Sequence, residues 1–221
     1  MLTPRIRLTV LLAMLICSLL TMVRPGISWS QLLRERAASR SSAAPANKSQ
    51  RMKLVEAAKV QIGVTLRYDS SYQKISYPGG DVPLNGGVCS DVIIRAYRAL
   101  GVDLQTLIHQ DMSQAWDAYP HLWQLRSTDT NIDHRRVPNL ARFFTRHGQT
   151  FSTDQEPREY LAGDIVTWRL RSGVPHIGIV SDQVSISGIP LVIHNIGRGT
   201  LMENSLFDFV ITGHYRYGLE I

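Results

Sequence analysis

The chain predicts an α+β domain, N-terminal helices packed on a C-terminal antiparallel sheet, carried behind a basic N-terminal extension. Three observations predict it. Apolar residues recur at helical spacing before Gly163, short β-branched and aromatic runs divided by Gly, Ser or Pro follow it, and positive charge is concentrated near the N-terminus.

In the helical part, Leu54, Val55, Ala58 and Ile62 keep helical spacing from a domain start near Met52, and Gly63 is expected to close that helix. Residues 68–88, rich in Tyr, Ser, Pro and Gly, read as loop. Over 89–100, Val92, Ile93, Ala96, Tyr97 and Leu100 form one apolar stripe, with Gly101 as a stop. Further helix is expected around 104–118 and 137–147, where Pro138 suits a first turn. Strands are expected at 164–170, 176–180, 191–196 and 209–217. There is no internal repeat. The length of 221 residues and an apolar content of 44% suit one core-bearing domain with extra segments.

Those extra segments precede the domain. Arg5 and Arg7 lead into a mostly apolar run at 8–23, too short for the roughly 20 residues of a full bilayer span. Gly26 and Ser28 supply small residues for a cut after Ser28, so 1–28 reads as an export signal. Retention as an inner-membrane anchor through 8–23 is the alternative; Ile16 before Cys17 is too large for a lipoprotein signal. Either outcome makes the domain periplasmic or otherwise extracytoplasmic. The expected boundaries are 1–28 for the signal or anchor, 29–51 for a flexible basic linker and 52–221 for the domain.

The formal net charge of +6 is misleading as a nucleic-acid signal. Residues 1–53 hold nine Lys/Arg and one acid, Glu35, leaving fifteen Lys/Arg against seventeen Asp/Glu in the part that folds. A basic tail is not a basic groove, and no nucleic-acid partner is expected.

The chain has two cysteines, Cys17 and Cys89. Removal of the export segment leaves Cys89 alone, either an inert core residue or a thiol kept for its reactivity. Its place at the opening of a helix, after Gly86-Gly87-Val88, favours reactivity. Free N–H groups and the positive dipole end stabilise a thiolate, and the same N–H groups can hold an oxyanion. Asp91, two residues on, opposes thiolate formation. A base is available in the strand region. If residues pair with positions summing to 370, the hairpin turns at Ser185. His176 then faces His194, while Ile177, Ile179, Leu191 and Ile193 share the other face. One imidazole can then orient the other.

The stretch Gly86-Gly87-Val88-Cys89-Ser90-Asp91-Val92, with Tyr97-Arg98 and Gly101, resembles the nucleophile helix of NlpC/P60-like (papain-like) cysteine hydrolases. Gly163-Asp164-Ile165-Val166, His176-Ile177-Gly178-Ile179-Val180 and Val192-Ile193-His194 resemble their central sheet. YPGGDVP at 77–83, HRRVPNL at 134–140 and GHYRY at 213–217 make 52–221 similar to the domain of unknown function 1287 family. The resemblance implies a papain-like fold and a Cys89-His176-His194 triad. It further implies attack on an amide, in many relatives a peptide bond of the cell wall, so a peptidoglycan peptide or another amide substrate is the expected partner; no cofactor or metal is expected. It also implies a Tyr before the nucleophile that helps the oxyanion site, Tyr68 first and Tyr77 second. Val88 stands where relatives often carry an Asp that caps the helix, and Asp91 where they often carry Gly. Asp91 is therefore counted with the site, and so are His134 and Arg135. The segment Asp133-His134-Arg135-Arg136 is either a solvated loop or a clamp for substrate carboxylates. Rival readings are a non-catalytic wall-binding module, a zinc site built on Cys89, His176, His194 and an acid, and a toxin-like effector. The lack of a local CxxC or HxxxH pair speaks against zinc, and the export signal against the effector.

Overall fold

The computed structural model describes residues 31, 34, 50–124 and 126–218. The chain divides into two compact units, Met1–Pro45 and Ala46–Ile221. Of the first, only Gln31 and Arg34 are described, both helical. The expected export segment and almost all of the expected linker thus lie outside the described residues.

The described part of the second unit begins in helix at Gln50, slightly ahead of the expected start. This helix, α1 (50–59), buries Leu54, Val55 and Ala58. It ends four residues before Gly63, and a turn covers the interval. The stretch expected to be loop holds two short parallel strands, β1 (Arg67–Tyr68) and β2 (Gly86–Gly87), with Tyr68 opposite Gly87. Then come α2 (Cys89–Ala99) and α3 (Leu104–Gln114). Asp103 caps α3 by accepting from Gln105 N. The final expected turn of α3 is instead a separate 3-10 turn, Trp116–Ala118. α4 (Val137–His147) carries Pro138 in its first turn, as expected.

The sheet has six antiparallel strands in the order β3-β8-β4-β5-β6-β7. They are β3 (Gln149–Thr150), β4 (Ile165–Arg169), β5 (Pro175–Val184), β6 (Pro190–Asn195), β7 (Thr200–Glu203) and β8 (Val210–Arg216). Four were legible as strands; β3 and β7, short and without an apolar run, were not. Ile165, Ile177, Ile179 and Ile193 face the helices and share a core with Leu54, Ile93, Tyr97, Leu140 and Phe144. Val166, Trp168, Val180 and Val192 face the other way, onto Tyr160 and Leu206. The alternation is that of a sheet covered on both sides.

α2 is the hub: every residue from Cys89 to Tyr97 is buried, polar ones included. Such burial requires partners. Arg95 reaches Asp81, Thr65 Oγ1 and the carbonyls of Val82 and Gly86, which organises the loop ahead of the helix. Gln61 Nε2 donates to Val92 O and ties the end of the first helical segment to it.

The β5–β6 register differs from the expected one. Ile179 pairs with Ile193 and Val180 with Val192, a slip of two residues, with an irregularity before Val184 pairs with Pro190. β5 runs on to Val184, so the chain reverses later than Ser185. A slip of two keeps each side chain on its face, and both histidines stay together on the face of Trp168.

Candidate active site

Cys89 is the first residue of α2, held by the structure before it. Asn195, at the end of β6, donates from Nδ2 to Gly87 O at 3.0 Å and Arg67 O at 3.2 Å, fastening the strand of His194 to the loop that delivers the cysteine. Gly87 has φ +152°, and a Cβ there would lie 2.8 Å from Asp91 Oδ2, so glycine is required. That carboxylate caps the helix from inside: Asp91 Oδ2 accepts from Val88 N at 2.6 Å. The cap that Val88 cannot supply is thus supplied three residues later.

Asp91 is not a free anion beside the thiol. Arg135 grips it with both arms, Nε to Oδ1 at 2.9 Å and Nη2 to Oδ2 at 3.0 Å, with side chains 2% and 4% exposed for Arg135 and Asp91. Ser90 Oγ donates to Arg135 O at 2.7 Å. The 133–135 segment is therefore neither a solvated loop nor, at Arg135, a clamp with free donors. Asp133, His134 and Arg135 are all buried. Burial pushes the His134 imidazole down to about 4, and the ring does not line the cleft.

A cleft of about 400 Å³ opens beside Cys89, with Tyr68, Val88, Trp123, Arg135 and Arg136 also in its lining. Cys89 itself is 3% exposed. The backbone N–H groups of Ile177 and Ser90 and the Tyr68 hydroxyl act on its sulfur in favour of the thiolate. Burial outweighs these donors and, with the nearby Asp91 charge, pushes the thiol up to about 11. Tyr68, burying its hydroxyl beside the thiol, is pushed up to about 12. Tyr77, the second tyrosine candidate, lies edge-on to the His109 ring and does not line the cleft.

His176 follows Pro175, a cleft residue, at the start of β5 and is itself buried. Its Nε2 meets Nδ1 of His194 at 2.8 Å, although the slipped register sets Gly178, not His176, opposite His194. Gly178 makes the diagonal contact possible, because a Cβ there would come within 2.7 Å of Val192 Cγ1 and 3.2 Å of His194 Cβ. His194 Nε2 in turn meets Glu203 Oε2 on β7 at 3.0 Å. Trp168 covers both rings, with centroids 5.8 and 6.5 Å away. Burial, with the neighbouring His194, pushes His176 down to about 3; His194 is lowered by burial against the opposing pull of Glu203.

Neutral rings fix the proton positions along this chain. A carboxylate only accepts, so His194 Nε2 carries the hydrogen and its Nδ1 is bare. His176 Nε2–H then donates to that bare nitrogen, and His176 Nδ1 keeps a free lone pair. Sequence reasoning missed Glu203, Gly178 and Asn195. Only Asn195 carried a local sign, its adjacency to His194.

Residues 55–217 match the family described as "Domain of unknown function (DUF1287)". The uncharacterized protein YijF of Escherichia coli (strain K12) is 54% identical over 164 residues, 74% of this chain and 80% of that protein. Among solved structures, NlpC1 from Trichomonas vaginalis is similar at 16% identity and a TM-score of 0.40, over 73% of this chain and 42% of that one. NlpC2 from the same organism is similar at 15% identity and 0.39, over 75% and 46%. The chain thus spans less than half the length of those two proteins. The match over most of the chain, joined to the identity with YijF, means that this protein belongs to the DUF1287 family.

Proposed function

We propose that the protein is an exported cysteine hydrolase that cleaves an amide bond in cell-wall peptides, with Cys89 as nucleophile, His176 as base and His194 as the residue that orients it. One observation carries the reading: Cys89, the first residue of α2, lines a cleft that Pro175 also lines, and Pro175 is followed by His176, whose Nε2 is taken up by His194 and whose Nδ1 keeps its lone pair. The resemblance of the Cys89 and His176 segments to NlpC/P60-like motifs supports the same assignment.

Burial leaves both groups neutral at rest, a thiol and an imidazole rather than an ion pair, so the thiolate forms as attack begins. The imidazoles lie on the sheet face opposite α2, and among the described residues no hydrogen bond joins either ring to Cys89; the proton lost by the thiol goes to His176 Nδ1, the ring nitrogen that His194 leaves bare. Sulfur bonds to the carbonyl carbon; the N–H groups at the helix mouth and the Tyr68 hydroxyl hold the oxyanion. The C–N bond breaks as His176 returns its proton to the leaving amine. Water, deprotonated by His176, then splits the thioester into a carboxylic acid and the free thiol. Export rests on residues 1–28, with residues 8–23 as an inner-membrane anchor if no cut is made.

The nearly sealed thiol favours a second reading, a module that binds wall peptides in this cleft without cutting them. Incubation of the purified protein and its Cys89→Ala variant with peptidoglycan fragments, followed by mass analysis, separates the two. Products made only by the wild type establish hydrolysis and name the bond. Inertness of both, with equal retention of fragments, establishes the binding module.

A further inference from the structure

The cleft holds two arginines in different electrostatic states. Arg135 is neutralised by the bidentate pair with Asp91. Arg136, its neighbour, lines the same cleft with a side chain 17% exposed, and its guanidinium lies 4.4 Å above the Trp123 ring centroid. Its Nη1 is buried and makes no hydrogen bond; the acid it pairs with, Asp133, keeps its Oδ1 3.8 Å away, beyond hydrogen-bond reach. Asp129, the other carboxylate whose charge Arg136 feels, uses its oxygens on the Tyr72 hydroxyl and on Asn131 N and Nδ2. Arg136 is therefore a cation seated over an indole, with a buried Nη1 whose hydrogen-bonding capacity is unused and a partly exposed side chain that lines the cleft beside Cys89.

A planar guanidinium held by stacking binds a carboxylate through paired N–H donors, and stacking reduces the freedom lost on binding. We infer that Arg136, seated on Trp123, anchors a carboxylate of the substrate, so that the peptides taken by this cleft are anionic near the attacked carbonyl. The inference rests on Cys89 being the nucleophile of this cleft.

Two small alkylating reagents test it. Iodoacetate and iodoacetamide both form a carbon–sulfur bond at a thiolate and expel iodide; they differ in a carboxylate against a neutral amide. Adduct formation at Cys89 is followed by peptide mass analysis, which separates it from Cys17. The rate ratio of iodoacetate to iodoacetamide is expected to fall about tenfold in Arg136→Gln, the size of one charge-assisted hydrogen bond, and to be largely kept in Arg136→Lys. Equal ratios in wild type and Arg136→Gln overturn the anchor while leaving Cys89 a reactive thiol. Failure of Cys89 to react with either reagent overturns the nucleophile instead. The anchor is then decided by titration with N-acetylalanine and N-acetylalaninamide, followed at the Trp123 indole resonance assigned with Trp123→Phe. A shift with the acid alone, lost in Arg136→Gln, upholds it, and identical responses to acid and amide overturn it.

Discussion

Asp91→Ala is expected to be among the most damaging single substitutions in the domain, for reasons independent of catalysis. The side chains of Asp91 and Arg135 are almost wholly buried and joined by two hydrogen bonds of 2.9 and 3.0 Å. Removing the acid leaves a guanidinium sealed without a counter-ion, at a cost of about 3–5 kcal/mol. The same change strips the acceptor from Val88 N, a helix cap worth about 1 kcal/mol. A loss of about 4 kcal/mol lowers the melting temperature of a domain this size by about 8–16 °C. Equilibrium urea unfolding of wild type, Asp91→Ala and the double variant Asp91→Ala/Arg135→Met measures it. The double variant carries no unpaired charge and should regain at least half of the loss. A single variant within about 1 kcal/mol of wild type, or a double variant no more stable than the single, would refute the claim that this pair is a structural unit.

Three further outcomes follow from the geometry. Gly178→Ala drives a Cβ into Val192 and His194, so it should cost about 1–3 kcal/mol and part the two imidazoles; unchanged imidazole nitrogen resonances would count against it. Alkylation of Cys89 by iodoacetamide should accelerate up to and beyond about pH 9, because burial raises the thiol to about 11; a rate that levels off below neutrality would contradict this. His176 and His134, lowered by burial to about 3 and about 4, stay neutral in the fold while the unfolded chain takes up protons below about 6.5. Stability should therefore fall as pH drops from 6.5 to 4, by about 1.4 kcal/mol per unit for each histidine, and a urea midpoint flat over that range would exclude it.

The elements readable from the sequence are those set by local pattern. The apolar stripe from Val92 to Leu100 and the β-branched runs around Ile165, Ile177 and Ile193 carry their own periodicity, and each appears where it was expected. What was not legible depends on partners far along the chain. Asp91 read locally is an anion beside a nucleophile; its meaning comes from Arg135, 44 residues on. The register of β5 against β6 was read from pairing the apolar residues and histidines of the two runs, which puts the turn at Ser185, but an irregularity between Val180 and Val184 accompanies a reversal nearer Gly188. Glu203 was invisible because β7 has no strand pattern of its own, and its role exists only through pairing with β6.

The slip in register carries a physical lesson about the histidine pair. Face-to-face pairing would have placed two imidazoles on directly opposed strand positions, where the backbone sets the spacing of their Cβ atoms. Diagonal placement with glycine in the opposing position lets the rings lean across the empty site, so the 2.8 Å contact is set by side-chain rotation and by the Trp168 cover. Glu203 then anchors the far nitrogen of His194, and the hydrogen-bond order from carboxylate to imidazole to imidazole has one polarity only. The proposed base needs no charge in its resting state, which suits a site where burial holds thiol and imidazole neutral. In the proposed attack, the charge that develops would be met by the backbone N–H groups at the mouth of α2 and the hydroxyl of Tyr68.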